Sequence, residues 1–296
     1  MSETSIQLPL LHSEVSTKSV VYCGDAYQVL SKFPSQICQM AVTSPPYWGL
    51  RDYDDEYQIG SEDKIEDYIE KLVQVFRELR RILRDDGTFW LNIGDCYTSG
   101  GRTWRAPDKK NPARAMSYRA PTPEGLKPKD LIGVPWRVAM ALQADGWYLR
   151  SEVIWHKTNP HPESVRDRPT RAHETIFLLS KNEKYYYDCE AIKEKGANGE
   201  LRSKRSVWSV QTEPLEEAHF ATYPPKLIEP CILAGSKVGD FIIDPFFGSG
   251  TSGLVAALNG RNFLGIELKS EYIEIARKRI GEYGFTFQKI DDELNL

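Results

Sequence analysis

Two consecutive prolines, Pro45 and Pro46, stand just behind the short apolar run Ile37 to Val42. Such a run predicts a strand buried in a sheet. Neither proline can donate a backbone hydrogen bond, and each holds its own φ at about −65°. The strand therefore ends at Thr43, and the loop that leaves it is stiff. One hydroxyl, Ser44, is thereby set at a fixed distance from one aromatic face, Tyr47.

The same pattern of apolar run and turn recurs along the chain. Ser19 to Cys23 leads into Gly24-Asp25, Thr88 to Ile93 into Gly94-Asp95, Phe241 to Ile243 into Asp244 to Thr251, and Asn262 to Ile266 into Glu267. Helices are predicted between them. Ile65, Ile69, Leu72, Val73, Phe76, Leu79 and Leu83 recur at helical spacing, after a capping-box spacing at Asp63 and Glu66 and before a stop at Asp86-Gly87. Further helices are expected at Leu131 to Ala144, Lys226 to Leu233, Thr251 to Leu258 and Glu271 to Tyr283. Tyr148 to His156 and Thr175 to Ser180 read as two strands joined by the proline-rich stretch Asn159 to Pro169, which suits antiparallel pairing at a sheet edge. The expected fold class is α/β and Rossmann-like: a twisted, mostly parallel sheet with an antiparallel edge and its site at the strand carboxyl ends.

With 296 residues, 41% of them hydrophobic, the chain can bury a substantial core. It carries no apolar run of membrane-spanning length and no signal-like start, so a soluble, cytoplasmic protein is expected. Cys23, Cys38, Cys96, Cys189 and Cys231 are scattered, which suggests neither a disulfide framework nor a metal site. A formal charge of −4 means that any nucleic-acid contact must come from local patches. Arg102, Arg105, Lys109, Lys110, Arg114 and Arg119 form one such patch, interleaved with Trp104 and Tyr118 in the aperiodic stretch 98–130. They can follow a phosphate backbone or sit on a solvated loop. Arg202, Lys204 and Arg205 form another, in a polar segment that reads either as a small recognition module or as a surface excursion. The expected division is a catalytic half at 18–180 that includes the basic loop, a target-recognition segment at 181–218, and a cofactor-binding half at 219–290.

The Ser-Pro-Pro-Tyr loop suits a flat substrate bearing an amine. The exocyclic amine of cytosine or adenine is a poor nucleophile, because its lone pair is delocalised into the ring. Ser44 Oγ and the Pro45 carbonyl can accept its two N–H bonds and favour a pyramidal nitrogen, while Tyr47 stacks on the base. Stacking is worth roughly 1–3 kcal/mol, comparable with the few kcal/mol needed to flip a base from a duplex. The same four residues also fit a plain proline-stiffened turn. In the later loop, Gly248 and Gly250 allow close backbone approach at a helix amino terminus, and the acid at its entrance suits an ammonium rather than a phosphate. Glu267, one strand on, can accept both hydroxyls of a ribose or cap the following helix. A cofactor with an amino-acid end, a ribose and a transferable group fits both loops, namely S-adenosylmethionine. Asp25 also lies past a strand end, where it can face a ligand or cap a helix. Pro230-Cys231 reads as a buried helix cysteine rather than a nucleophile, since no basic partner is placed to lower its pKa.

Taken in order, Gly24-Asp25, Thr43 to Trp48, Ile154 to Pro160, Arg168 to Glu174, Phe220 to Pro224 and Asp244 to Thr251 resemble the motifs of the DNA amino-methyltransferases of the permuted beta class. There the catalytic motif precedes the recognition segment and the cofactor motif comes last. The resemblance implies methyl transfer from S-adenosylmethionine to the amine of a flipped base in double-stranded DNA, with no metal. It assigns catalysis to Ser44, Pro45, Pro46 and Tyr47. It assigns cofactor binding to Asp25, Phe220, Thr222, Asp244, Phe246, Gly248, Ser249, Gly250, Thr251 and Glu267. DNA contact is expected from Trp48, from the six basic residues of the loop, and from Arg202, Lys204 and Arg205. In that class a Ser at the first catalytic position goes mostly with cytosine N4 and an Asp with adenine N6, so cytosine is expected and adenine is the alternative. A homodimer and a cognate restriction endonuclease are compatible with the resemblance. The stretch from Ser180 to Ala218 is short for a recognition domain, so the basic loop is expected to share DNA contact. A protein-glutamine methyltransferase fits less well, since Asn in place of Ser44 and a cofactor-first order are both missing. A catalytically silent binder of DNA or cofactor is the rival from another class.

Overall fold

The computed structural model describes residues 18–50, 58–99, 104, 120–213 and 223–291. The chain runs β1 (Val20–Cys23), α1 (Ala26–Lys32), β2 (Cys38–Thr43), α2 (Ile65–Ile82), β3 (Leu83–Ile93), α3 (Val134–Ala144), β4 (Tyr148–His156), β5 (His173–Ser180), β6 (Glu194–Lys195), β7 (Leu201–Arg202), β8 (Val207–Ser209), α4 (Pro225–Gly235), β9 (Phe241–Asp244), α5 (Thr251–Leu258), β10 (Asn262–Glu267), α6 (Ser270–Gly281) and β11 (Gln288–Asp291). Nine strands form one sheet in the order β11-β1-β10-β9-β2-β3-β5-β4-β8.

Helices cover both faces. Residues of α1, α2 and α3 build one core with Phe89, Leu91 and Phe177. Residues of α4, α5 and α6 build the other with Met40, Trp90 and Ile242. Every residue of β2 is buried, as the apolar run Ile37 to Val42 requires of a central strand with helices above and below. From β2 the chain crosses through α2 to β3, and from β9 it crosses through α5 to β10 on the other side. β2 and β9 are neighbours, paired in parallel at Met40↔Ile242 and Ala41↔Ile243. The order of the sheet reverses between them, and at such a point an open α/β sheet presents a crevice at its carboxyl edge.

One strand is reversed. β5 runs antiparallel to both β3 and β4, while the outermost strand, β8, pairs parallel with β4. The antiparallel pairing expected at the edge is therefore one strand further in, and the segment 181–218 supplies the edge itself. Trp208 of β8 is 6% exposed and lies 6.2 Å from Trp90, so part of that segment belongs to the core rather than to a separate module. Reversal has a geometric consequence. β5 places its first residues, His173 and Glu174, at the edge where the parallel strands end, since Glu174 pairs with Trp155 and Thr175 with Ile93.

Candidate active site

Ser44 and Tyr47 leave β2 in a loop braced from several sides. Tyr68 of α2 donates its hydroxyl to the Pro46 carbonyl at 2.9 Å, and the Trp48 indole donates to the Glu62 carbonyl at 2.9 Å. Gly94 follows β3 directly, and a Cβ there would sit 2.5 Å from Tyr47 Cε2, so a glycine is what admits the tyrosine ring.

The side chains form a connected polar network. Ser44 Oγ donates to Tyr47 Oη at 3.1 Å, and Tyr47 Oη donates to Glu174 Oε2 at 2.8 Å. Asn92 of β3 donates to Tyr47 Oη at 3.0 Å, to Glu174 Oε2 at 3.1 Å and to Ser44 Oγ at 3.4 Å. Lys157, just past β4, pairs with Glu174 Oε1 and lies 4.5 Å from the Trp155 ring. Burial raises the Tyr47 phenol well above its usual range, and the Glu174 carboxylate raises it further. Burial would raise the Glu174 carboxyl too, but Lys157, Tyr47 and Asn92 outweigh it and hold it below the ordinary range.

Across the β2/β9 seam lies the second loop. Asp244 ends β9 and is 2% exposed. Its Oδ1 accepts the Thr43 hydroxyl and the Phe246 N–H, the latter at 3.0 Å. Its Oδ2 accepts Ser252 Oγ at 2.6 Å and Tyr223 Oη at 3.1 Å. Burial raises this carboxyl against the pull of those donors. The expectation that Asp244 meets an ammonium directly is therefore corrected. Both of its oxygens are filled from within the protein, and it ties the end of β2 to the second loop.

Gly248 and Gly250 have φ of +52° and +77°, and Gly250 caps α5 where a Cβ would come within 2.7 Å of Ala276. Arg279 of α6 donates to Thr251 Oγ1 at 2.7 Å and to Ser249 Oγ at 3.3 Å, so these two hydroxyls brace the loop. Phe246 is half-buried with its ring edge-on to Phe76, 6.2 Å away. Glu267, at the tip of β10, accepts the Gly248 N–H at 2.7 Å and the Lys269 N–H at 2.9 Å. Burial raises its carboxyl to about 7 against those backbone donors, and the Asp244 charge adds to the rise. The Gly24 N–H donates to the Glu267 carbonyl at 3.0 Å, which brings the turn holding Asp25 beside this tip. Asp25 itself caps α1, accepting the Gln28 N–H at 2.9 Å.

Ser44, Pro45, Pro46 and Tyr47 thus share one crevice with Asp244, Phe246, Gly248, Ser249, Gly250, Thr251 and Glu267. Trp48 is corrected as a DNA contact, since at 4% exposure it is a core residue. Arg202 and Arg205 both pair with Glu194, at 3.2 and 2.6 Å, and Lys204 lies 5.0 Å from the Trp208 ring. Phe220, Thr222, Arg102, Arg105, Lys109, Lys110, Arg114 and Arg119 lie outside the described residues. Cys231 is fully buried with its thiol pushed up by burial, as a helix cysteine without a catalytic role would be. Among the described residues no cluster of His, Cys, Asp or Glu is arranged to hold a metal ion, and no helix is long and apolar enough to cross a membrane.

Sequence reasoning assigned no role to Asn92, Lys157 or Glu174. A signal existed for the first, because an Asn inside the otherwise apolar stretch Phe89 to Ile93 of β3 is a buried polar group in need of a purpose.

A family model described as DNA methylase matches residues 38–278. The Type II methyltransferase M.Cfr9I of Citrobacter freundii is 58% identical over 262 residues, which cover 88% of this chain and 87% of that protein. M.SmaI of Serratia marcescens is 59% identical over 262 residues, covering 88% and 90%. Among solved structures, a putative DNA modification methylase from Thermus thermophilus, complexed with S-adenosyl-L-methionine, aligns with a TM-score of 0.64 at 25% identity, covering 93% of this chain and 98% of that one. The cytosine-N4-specific PvuII DNA methyltransferase aligns with a TM-score of 0.66 over 92% and 96% of the two chains, a likeness of fold at 19% identity.

Proposed function

The chain belongs to the N6/N4 DNA methylase family, whose members take a methyl group from S-adenosylmethionine to DNA, and from that premise we propose that its target is the N4 amine of cytosine. What supports the choice is the resemblance to the beta class, in which a Ser at the first catalytic position goes mostly with cytosine N4 and an Asp with adenine N6. Here that residue is Ser44, whose hydroxyl lies beside Tyr47 at a strand tip that Thr43 and Asp244 tie to the glycine loop and can accept from the planar amine of either base.

When bound, S-adenosylmethionine supplies a methyl group on a positively charged sulfur, a strong electrophile that needs no covalent enzyme intermediate. The donor set fits such a molecule. Glu267 is an acid held by backbone N–H groups, so it can turn toward ribose hydroxyls, and Gly248, in a positive-φ conformation that favours glycine, leaves the backbone beside it without a side chain. Asp25 stands next to that tip. Asp244 acts through the loop it holds, and Phe246, Ser249 and Thr251 shape that loop. Phe220 and Thr222 complete the cofactor side.

On the substrate side, Ser44 Oγ and the Pro45 carbonyl accept the amine N–H bonds, Pro46 stiffens the loop and Tyr47 stacks on the extruded base. Most of the acceleration comes from positioning, which in well-oriented reactions is worth several kcal/mol. The basic loop 98–130 and the segment 181–218, with Arg202, Lys204 and Arg205, contact the duplex. A cognate restriction endonuclease, a homodimer and a cytoplasmic location near the nucleoid belong to the same proposal.

The test is the product. DNA of mixed sequence is incubated with the protein and labelled S-adenosylmethionine, digested to nucleosides and separated by mass and retention. N4-methyldeoxycytidine is expected. Label in N6-methyldeoxyadenosine would replace cytosine by adenine as the target, and label in neither would remove the assignment.

A further inference from the structure

The direction of each hydrogen bond around Tyr47 is fixed by one residue. A carboxylate can only accept, so Tyr47 must give its single hydroxyl proton to Glu174 Oε2, 2.8 Å away. Tyr47 Oη is then left to accept, from Asn92 Nδ2 at 3.0 Å and from Ser44 Oγ at 3.1 Å. Ser44 in turn has its one proton committed to Tyr47, so its remaining lone pairs can only receive. The amide orientation of Asn92 follows from the same charge. Turning it over would set its oxygen against Glu174 Oε2, now 3.1 Å from the nitrogen. Reversed β5 brings Glu174 to this edge, and Lys157 from the end of β4 neutralises it.

Deepening the methyltransferase reading and resting on it, we propose that Glu174 is a positioning residue that, held by Lys157, makes Ser44 an obligate acceptor and takes up the proton the amine loses, through Tyr47. The step balances. A carbon–nitrogen bond forms at the amine as the methyl carbon leaves sulfur, and the nitrogen becomes positive. Its proton passes to Ser44 Oγ, the Ser44 proton to Tyr47 Oη, and the Tyr47 proton to Glu174 Oε2. Ser44 and Tyr47 end neutral as they began, and Glu174 ends as the neutral acid beside Lys157.

The groups facing Glu174 are Asn92 from β3, Lys157 from the end of β4, and Tyr47 with Ser44 behind it from the loop after β2. Lys157 is the cation paired with it. In the wild-type protein the acid limb of the single-turnover rate therefore lies below the ordinary carboxylate range.

Three variants test the relay, each first shown folded by its circular dichroism and thermal melt. Glu174→Gln keeps the shape and removes the acceptor, so the single-turnover rate falls about a hundredfold, within the span of general acid–base effects, and the acid limb disappears. Lys157→Met keeps the acceptor without its cation and moves the acid limb up by at least one pH unit, while Lys157→Arg returns it. Independently of turnover, the infrared carboxyl band that Glu174→Gln removes titrates at higher pH in Lys157→Met than in wild type, with no cofactor or DNA present. Wild-type turnover combined with an unchanged profile in Glu174→Gln, or with an unmoved limb and band in Lys157→Met, overturns the relay alone. Absence of methyl transfer by the wild type to any DNA overturns the functional reading and the relay together.

Discussion

Glu174 and Glu267 stand at the same edge of one sheet, the first at the start of reversed β5 and the second at the end of parallel β10. Lys157, Tyr47 and Asn92 surround Glu174 and hold its carboxyl below the ordinary range, while Glu267 meets backbone N–H groups, those of Lys269 and Gly248 among them, and is pushed by burial up to about 7. Between them, Asp244 is held by three hydroxyl donors, and burial raises it as well. Three carboxylates one crevice apart thus differ through their donors. A cation fixes an acid as an acceptor, enclosure by hydroxyls makes it a structural knot, and backbone partners leave it ready for a ligand that brings its own donors.

Cutting the knot should have the largest effect. Asp244→Ala leaves the hydroxyls of Thr43, Tyr223 and Ser252 without their acceptor, and unsatisfied buried polar groups cost about 1–3 kcal/mol each. Denaturant melts should show a loss on the order of 5 kcal/mol. A loss below about 1 kcal/mol would mean that the two loops are not joined there.

Next is Gly94→Ala, which touches only the substrate half. The added methyl meets the Tyr47 ring at 2.5 Å. Overpacking of that kind costs about 1–3 kcal/mol, expected as a roughly tenfold to hundredfold slower methyl transfer with cofactor affinity kept. An equal loss of affinity in calorimetry would erase the distinction between the halves.

Glu267→Gln probes the other half through pH. With its carboxyl near 7, Glu267 is mostly neutral at pH 6 and mostly ionised at pH 8, and under the proposed role the ribose hydroxyls would donate to the ionised form. Cofactor affinity of the wild type should therefore rise roughly tenfold across that interval and level off above it. The variant should show a flat profile. The sign for folding is opposite: a carboxyl raised in the folded state gives stability that is present below the ordinary carboxylate range and lost as pH rises to about 7. A wild-type affinity that ignores pH would remove Glu267 from the ribose.

The smallest effect is expected at the sheet edge. Arg202→Ala and Arg205→Ala each free Glu194 of one partner in an exposed, solvent-screened pairing, so little change in stability is expected. If these residues meet phosphate, each substitution should lower the salt slope of DNA binding by about 0.9. An unchanged slope would confine DNA contact to other surfaces.

Much of this was legible in the chain, for reasons that separate local from non-local signals. Apolar runs closed by Gly, Pro or Asp placed the parallel strands, because period and punctuation are local. Ser44 and Asp244 were each placed at a strand tip by the motifs they belong to, and their adjacency came from the pairing of β2 with β9. The start of α2 was less legible. Asp63 and Glu66 have capping-box spacing, yet the cap is Lys64 and makes no side-chain bond. The stop expected at Asp86-Gly87 falls inside β3, since the helix ends at Ile82 and the strand starts at Leu83. β11 is polar and lies at an edge, where neither face imposes a clean period. Lys157 and Glu174 fall within stretches that resemble family motifs, yet their pairing was not legible, for a different reason. They are 17 residues apart, and only the reversal of β5 turns an ordinary charge at a strand start into a group at the carboxyl edge.

The claim on which the rest depends is that one half of the crevice prepares the amine while the other holds the methyl donor. Its most direct test is Ser44→Ala, with the single-turnover rate at saturating S-adenosylmethionine and the calorimetric cofactor affinity measured on one preparation. The rate should fall about a hundredfold or more, in keeping with the loss of a positioned acceptor, with the affinity unchanged. A rate close to wild type, or an affinity that falls in step with the rate, would contradict the account.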